Sequence, residues 1–181
     1  MLYAAKTVLL HDCTPVCFRN PRPSDAKALL FFLKACHGET DFLIRYPEEW
    51  AQSEESEAAY LAGSNASAHT LTLLCLVDGE IAGICTLQGN TSQKLRHRAT
   101  LSLLVRRADW GRGIGHAMLE ELVDAAKQQG ISQLELDYIQ GNYRAAQLFA
   151  HFGFVPVGEK PDAIRLKDGT LLKEFSMIKK L

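Results

Sequence analysis

The stretch ATLSLLVRRADWGRGIGHAMLEELVDAAKQQG, residues Ala99 to Gly130, decides the fold of this chain. Its first part, Ala99 to Val105, alternates apolar and small polar residues, which is typical of a strand with one buried face. Leu104 makes the second face apolar as well, so we expect a central strand. From Gly113 onward apolar residues recur at helical spacing. The loop between strand and helix carries three glycines, Gly111, Gly113 and Gly115.

This glycine-rich loop leads into the start of a helix, where backbone amides have no partner within the helix. The positive end of the helix dipole, together with the close approach that glycine allows, favours a bound phosphate. A tight turn without a ligand explains the same glycines equally well. The chain has no G-K-[ST] sequence, which excludes a Walker loop, and neither Gly111 nor Gly113 begins a complete G-x-G-x-x-G. Glu135 lies where a dinucleotide fold places its ribose-binding acid, so a dinucleotide site stays open.

A second group of motifs follows the helix. Gln133 to Ile139 alternates apolar and acidic residues, which predicts another strand. Asn142 is positioned to cap a helix that continues as YRAAQLF. The turn Phe152-Gly153-Phe154 ends that helix.

The loop and these later motifs resemble the GCN5-related N-acetyltransferase (GNAT) family. The acetyl-CoA motif of that family, [QR]-x-x-G-x-[GA], is matched by Trp110 to Gly115, with Trp instead of Gln or Arg at the first position. The family's next strand, its N-x-x-A-x-x-L-[YF] helix and its G-F turn follow in the same order. The resemblance covers the second half of the chain and implies acetyl-CoA as the cosubstrate.

The resemblance also implies where acetyl-CoA binds. The strand positions that match the family's pantetheine and thioester contacts are Leu103, Leu104 and Val105. Asn142 is implied to contribute from the opposite side of the cleft. The loop residues implied to hold the anionic carrier are Gly111, Arg112, Gly113, Ile114, Gly115 and His116.

The proton-transfer groups depart from the family pattern. Phe149 stands where relatives often place a Tyr that protonates the departing thiolate, and Thr100 stands where many carry a Glu that acts through water. Tyr143, Tyr138 or water could replace the missing acid. His97 is a candidate base, although a lone His between two Arg residues is more often a surface residue.

An acidic stretch, Glu39 to Glu57, precedes these motifs. Its first-turn acids, Glu54 and Glu55, are explained by a helix that Ser53 caps. The remaining acids are mixed with aromatic residues and are interpreted either as an amine-binding wall or as a solvated loop. The candidate acceptor-binding residues, which are also candidate bases, are Glu39, Asp41 and Glu48.

Periodicity in the rest of the chain predicts an α/β fold with a mixed, mostly antiparallel sheet and helices on both faces. This order of elements resembles the GNAT family, which implies a GNAT-like acyl-CoA N-acyltransferase fold. The predicted elements are a hairpin of Lys6 to Leu10 and Val16 to Arg19, helices over 24–36 and from Ser53 to near Gly63, strands Thr70 to Val77 and Glu80 to Leu87, and a final hairpin of Ala163 to Lys167 and Thr170 to Ile178.

Composition limits the possible partners. The 181 residues, 47% of them hydrophobic, suggest one domain, residues 1–181. The resemblance implies that it is an N-acetyltransferase domain whose acetyl-CoA core spans about residues 70–160. A net charge of -1 argues against nucleic acid or an anionic membrane as partner. Five cysteines without a C-x-x-C pair indicate reduced thiols and a cytoplasmic location. No metal site is expected.

These observations favour an N-acetyltransferase that uses acetyl-CoA. We expect a primary amine of a small molecule or protein to attack the thioester directly in a ternary complex. A non-catalytic acyl-CoA sensor and a dinucleotide-binding oxidoreductase remain the alternatives. The sequence leaves the acceptor unidentified, and it also leaves open whether the chain forms a homodimer.

Overall fold

The computed structural model, which describes residues 1–181, contains one eight-stranded sheet. The strands are β1 (Lys6–Leu9), β2 (Pro15–Arg19), β3 (Thr70–Val77), β4 (Glu80–Gly89), β5 (Arg98–Val105), β6 (Gln133–Ile139), β7 (Val155–Arg165) and β8 (Leu171–Lys180). The helices are α1 (Ala26–Gly38), α2 (Glu54–Ala66), α3 (Ile114–Gln128) and α4 (Tyr143–His151).

The spatial order of the strands is β1-β2-β3-β4-β5-β6-β8-β7. Every neighbouring pair is antiparallel except β5 and β6, which are parallel because α3 crosses between them. The predicted mixed sheet, with β5 in its interior, is therefore confirmed.

Two hydrophobic clusters cover the two faces of the sheet. The larger joins α3 and Phe149 of α4 to one set of strand residues, such as Leu73 and Leu101. The smaller joins α1 and Leu61 of α2 to the alternate set, such as Leu74. Helices thus lie on both faces, as the alternation of apolar residues requires.

The pairing between β5 and β6 is short. It links Arg98 with Gln133, Ala99 with Leu134 and Thr100 with Glu135, and then ends. Beyond this point β6 continues to pair with β8, whereas β5 continues to pair with β4. The two strands therefore separate and leave an opening in the middle of the sheet.

The last hairpin is longer than the sequence predicts, because β7 begins at Val155 rather than at Ala163. Nearly all of β7 is exposed, so it lacks the apolar alternation by which strands are recognised. It lies at the edge of the sheet, where Pro156 and Pro161 are tolerated, and its register with β8 shifts twice. None of the helices is both long and apolar enough to cross a membrane.

Candidate active site

The loop between β5 and α3 presents a row of unpaired backbone amides. Gly111 and Gly113 adopt left-handed backbone conformations, with φ of 83° and 91°. The first hydrogen bond of α3 runs from the Ala117 amide to the Gly113 carbonyl, and none of the amides from Gly111 to His116 donates a hydrogen bond within the protein. These amides lie at the positive end of the α3 dipole, which makes the loop suited to an anionic group.

Side chains beneath the loop hold it in shape. Asp109 is buried and accepts hydrogen bonds from Arg106 Nε and Arg112 Nη1, each at 2.7 Å. Trp110 Nε1 donates to the Val105 carbonyl at 2.7 Å. The guanidinium of Arg112 is therefore engaged within the protein, and the part of Arg112 that faces an anion is its backbone amide.

Other loop residues have roles in packing. Ile114 is almost completely buried in the larger cluster. A Cβ at Gly115 would lie 3.2 Å from Leu148 Cδ2, so this glycine allows α3 and α4 to approach closely. His116 lies among other imidazoles, with ring centroids 6.4 Å from His11 and 5.6 Å from His151.

A cavity of about 980 Å³ fills the opening between β5 and β6, a volume at the upper end of the range typical of ligand sites. Most of its lining is hydrophobic. Leu103, Leu104 and Asn142 are among the residues that line it. The Asn142 side-chain oxygen accepts from the Ala145 amide at 3.2 Å and so caps α4, while its side-chain nitrogen donates no hydrogen bond within the protein. Val105 packs against the larger cluster instead.

The structure separates the candidate proton-transfer residues. Tyr138 lines the cavity and stacks on Phe175, with ring centroids 5.2 Å apart. Tyr143 is 74% exposed and does not line the cavity. His97 is exposed and precedes β5, at the end of that strand opposite to the loop.

The two departures from the family pattern differ in their position. Phe149 is only 6% exposed and lines the cavity, where its ring can supply no proton. Thr100, the last residue of β5 that pairs with β6, does not line the cavity. The cavity therefore has no acid or base at either expected position.

The three nominated acidic residues also lie outside the cavity. Glu39 accepts a hydrogen bond from the Arg107 amide at 2.8 Å. Glu48 forms an ion pair with Lys167, which holds the pKa of the carboxyl below its usual range. Asp41 is exposed. The structure does not bring these carboxylates together as a wall, because two of them have partners elsewhere and none lines the cavity.

Other polar residues line the cavity instead. On the sheet, Thr72, Thr86 and Ser102 are paired in register across three strands and form a row of hydroxyl groups. Glu57 of α2 contributes a carboxylate that is only 5% exposed. Glu57 lies on the same helix face as Leu61, four residues later. This spacing from an apolar residue was the sequence signal that could have predicted a buried position for Glu57.

His37 at the end of α1 also lines the cavity. Its Nδ1 lies 2.7 Å from the Leu33 carbonyl, and because a carbonyl only accepts, Nδ1 carries the proton. Burial, with a further contribution from Arg45, lowers the pKa of His37. The imidazole is therefore neutral near pH 7, and Nε2 carries a free lone pair.

The structure argues against a dinucleotide site and against a cysteine nucleophile. Glu135 hydrogen-bonds to Arg98, and this bond lowers the pKa of the carboxyl, so the acid is not free to hold a ribose. Burial raises the pKa of the Cys36 and Cys75 thiols to about 12, which keeps them protonated and makes them unsuitable as nucleophiles.

Comparison with known proteins agrees with this arrangement. Residues 37–154 match the family described as Acetyltransferase (GNAT) family. A structure of an acetyltransferase of the GNAT family from Streptococcus pneumoniae superimposes with a TM-score of 0.86 at 28% identity, covering 92% of this chain and 99% of that one. A putative acetyltransferase from Salmonella typhimurium, yncA, with its cofactor acetyl-CoA, shares the fold with a TM-score of 0.78 at 18% identity, over 92% of this chain and 94% of that one.

A sequence relative matches over a much shorter length. A mycothiol acetyltransferase from Beutenbergia cavernae is 42% identical over 48 residues, which make up 26% of this chain and 16% of that protein. The chain therefore matches only a small part of this relative.

Proposed function

The chain belongs to the acetyltransferase (GNAT) family, and from this premise we propose that it transfers the acetyl group of acetyl-CoA to a primary amine of a small molecule or protein. Its acetyltransferase class and its cosubstrate follow from the family. The observation that carries the proposal is the row of unpaired amides from Gly111 to His116 beside a cavity between two separated strands.

The residues present fit acetyl-CoA. The loop amides are suited to its anionic diphosphate, because they combine free N–H groups with the positive end of α3. The cavity offers an apolar path along Leu103 and Leu104 toward the middle of the sheet. When bound there, acetyl-CoA supplies a thioester that a neutral amine attacks directly in a ternary complex.

The chain also offers donors for the negative charge that develops on the carbonyl oxygen. Beyond Thr100, the backbone groups of β5 that face β6 have no strand partner. Asn142 adds a side-chain N–H₂ group without a hydrogen-bond acceptor in the protein. Such preorganised donors contribute strongly to acyl transfer. Since Phe149 cannot supply a proton, water carries protons in this proposal, and Tyr138 is the one of the two candidate tyrosines that lines the cavity.

The test is release of free CoA thiol from acetyl-CoA in the presence of a panel of primary amines. Amine-dependent thiol release supports the proposal, and the reaction without amine is the control for hydrolysis. Binding of acetyl-CoA with no thiol release for any amine would instead favour the acyl-CoA sensor. The acyl-CoA sensor remains the second candidate because Phe149 and Thr100 stand where relatives often have an acid and a base.

The free state of all five cysteines supports a reducing compartment, and we place the enzyme in the cytoplasm on that basis. The net charge of -1 offers no positive field that would attract nucleic acid. The proposed partner is therefore an amine substrate.

A further inference from the structure

Glu57 is an unusual residue for a core-facing helix position. Only Glu57 and Leu61 of α2 are buried. The Glu57 carboxylate accepts one side-chain hydrogen bond, from Gln52 Nε2 at 3.3 Å, and takes part in none of the ion pairs of the structure. A carboxylate can accept about four hydrogen bonds, and burying it without a cation is costly.

The stability of α2 does not explain this carboxylate. Ser53 already caps the helix, because its hydroxyl oxygen accepts from the Ser56 amide at 3.2 Å. The first turn holds three acids, Glu54, Glu55 and Glu57, whose negative charge interacts favourably with the helix dipole, and Glu54 and Glu55 do so from exposed positions. Neither function requires a third acid that is buried toward the cavity.

Trp50 is a second polar group in the same cavity without a partner. Its Nε1 is completely buried and donates no hydrogen bond. Buried donors of this kind are rare in folded proteins. An ammonium group has no lone pair that could accept from this N–H, so Trp50 contributes its ring to the cavity wall, and the uncompensated carboxylate of Glu57 is the group that points to a cationic ligand.

The other charged groups that face the cavity are accounted for. Asp137 accepts from the Ser176 hydroxyl at 2.5 Å, and Glu174 pairs with Lys160 at 2.6 Å. Arg45 lies over the Trp50 ring, with its guanidinium carbon 4.7 Å from the ring centroid. Among the residues that line the cavity, only Glu57 is a buried carboxylate without a cation. The other titratable side chains of the lining are His37, Arg45, Tyr60, Asp137, Tyr138 and Glu174. The lining around it includes Phe42, Leu43, Ile44, Trp50 and Tyr60.

We propose that Glu57 binds the ammonium group of the acceptor, and that the acceptors are primary amines with a compact apolar body. The inference rests on the proposed acetyltransferase function and specifies the acceptor half of the same cavity. The ammonium form of such an amine predominates at neutral pH, and Glu57 places it near the separated strands before it loses its proton to water. An apolar body fits the aromatic and aliphatic lining.

Phenethylamine and its uncharged analogue 2-phenylethanol test this inference. In the Glu57→Gln variant we expect the KM for phenethylamine to rise at least about tenfold, because a charge-assisted hydrogen bond is lost. Inhibition by 2-phenylethanol and the Kd of acetyl-CoA should stay within about twofold, since neither depends on this charge. Glu55→Gln, which removes an exposed acid from the same helix turn, is the matched control and should behave like the wild type.

Thermal unfolding separates binding from a structural role. Glu57→Gln should unfold at the same temperature as the wild type or higher, because it removes an unpaired buried charge. An unchanged KM for phenethylamine, or failure of the wild type to bind this amine while it binds acetyl-CoA, would overturn the inference and leave the proposed function intact. Failure of the wild type to bind acetyl-CoA would instead refute the proposed function.

Discussion

At the residue scale, the cavity departs from the family most clearly at the positions that move protons. Phe149 lies on the cavity wall with no exchangeable proton, and Tyr138 is the candidate proton-transfer residue that the structure places there. Tyr143 and His97 lie outside the cavity. Positioning of the amine and stabilisation of the oxyanion therefore remain the main sources of catalysis in our proposal.

Substitution of these residues tests that view. We expect Tyr138→Phe to lower kcat by less than about 100-fold, which is the low end of the effect of a positioned acid or base. Tyr143→Phe and His97→Ala serve as controls from outside the cavity and should have smaller effects. A thousandfold loss in any variant that still binds acetyl-CoA would identify a proton-transfer residue, and water-mediated transfer would then be wrong.

Restoring the family residue gives the converse measurement. In Phe149→Tyr the new hydroxyl would lie at the cavity wall, where the parent ring is 6% exposed. Single-turnover rates with a fixed amine would show whether protonation of the leaving thiolate limits the reaction. We expect a change of less than about threefold, because a CoA thiolate leaves readily without an acid. A rate increase beyond tenfold would contradict this expectation.

The rate should also increase with pH. A primary amine with a pKa near that of lysine is mostly protonated at pH 7, and only the neutral form attacks. We therefore expect kcat to increase with pH until the bound amine has lost its proton. A flat profile from about pH 7 to pH 9 would indicate that a step other than amine attack is limiting.

At the element scale, the sequence identified most of the secondary structure because most elements bury one face. Clear periodicity or capping residues mark four of these elements, and the sequence located all four. They are β5, the glycine loop, α3 and α4. The start of β7 was missed because its exposed edge position leaves no apolar pattern. The glycines predicted the loop before α3, whose binding of acetyl-CoA stays a prediction. The sequence could not show that Arg112 is engaged by Asp109, because that contact depends on the fold.

The acceptor side of the cavity shows the limit of sequence reasoning. The segment from Glu39 to Glu57 was recognised as acidic and aromatic, but spacing alone could not show which carboxylate faces inward. Glu48 was nominated and lies on the surface, paired with Lys167. Glu57 was grouped with its neighbours and is the buried one. Burial depends on how α2 packs on the sheet, which local sequence does not specify.

The contact between α3 and β4 gives a prediction about packing. A Cβ added at Gly83 would lie 3.0 Å from the Leu104 carbonyl oxygen and 3.0 Å from Met118 Sδ. Gly83→Ala should therefore lower the free energy of unfolding by about 1–3 kcal/mol. Gly63→Ala in α2 is the matched control, because its Cβ would meet no atom within 4 Å. That variant should gain about 0.5–1 kcal/mol from helix propensity. Urea denaturation measures both, and a stable Gly83→Ala protein would contradict the packing.

At the scale of the whole molecule, the sheet separates two layers, and in our proposal acetyl-CoA binds on one side and the acceptor on the other, meeting in the opening between β5 and β6. The loop amides and α3 lie on the first side, and α1, α2 and the segment between them lie on the second. His37 is buried at the end of α1, so protonation of its imidazole should affect the stability of the whole fold.

The stability of the protein should decrease below pH 6.5. Burial lowers the pKa of His37 in the folded state from its ordinary value of 6.5, so the unfolded chain binds a proton first as the pH falls. Stability that is present above pH 6.5 is then lost progressively down to the lower pKa of the folded state. Urea denaturation at about pH 7.5 and pH 5.5 should show a smaller pH difference for His37→Gln than for the wild type. Equal differences would rule out His37 as the cause.

Binding of acetyl-CoA to the loop tests the central claim most directly. Isothermal titration of acetyl-CoA should be carried out on the wild type, Gly113→Asn and Gly113→Asp, after thermal unfolding has shown that all three are folded. The two variants add side chains of nearly equal shape at a residue with φ of 91° and differ in charge. We expect the wild type to bind and Gly113→Asp to bind at least about tenfold more weakly than Gly113→Asn, because its carboxylate opposes the anionic carrier. Equal affinities for the two variants, or no binding by the wild type, would contradict an acetyl-CoA site at this loop.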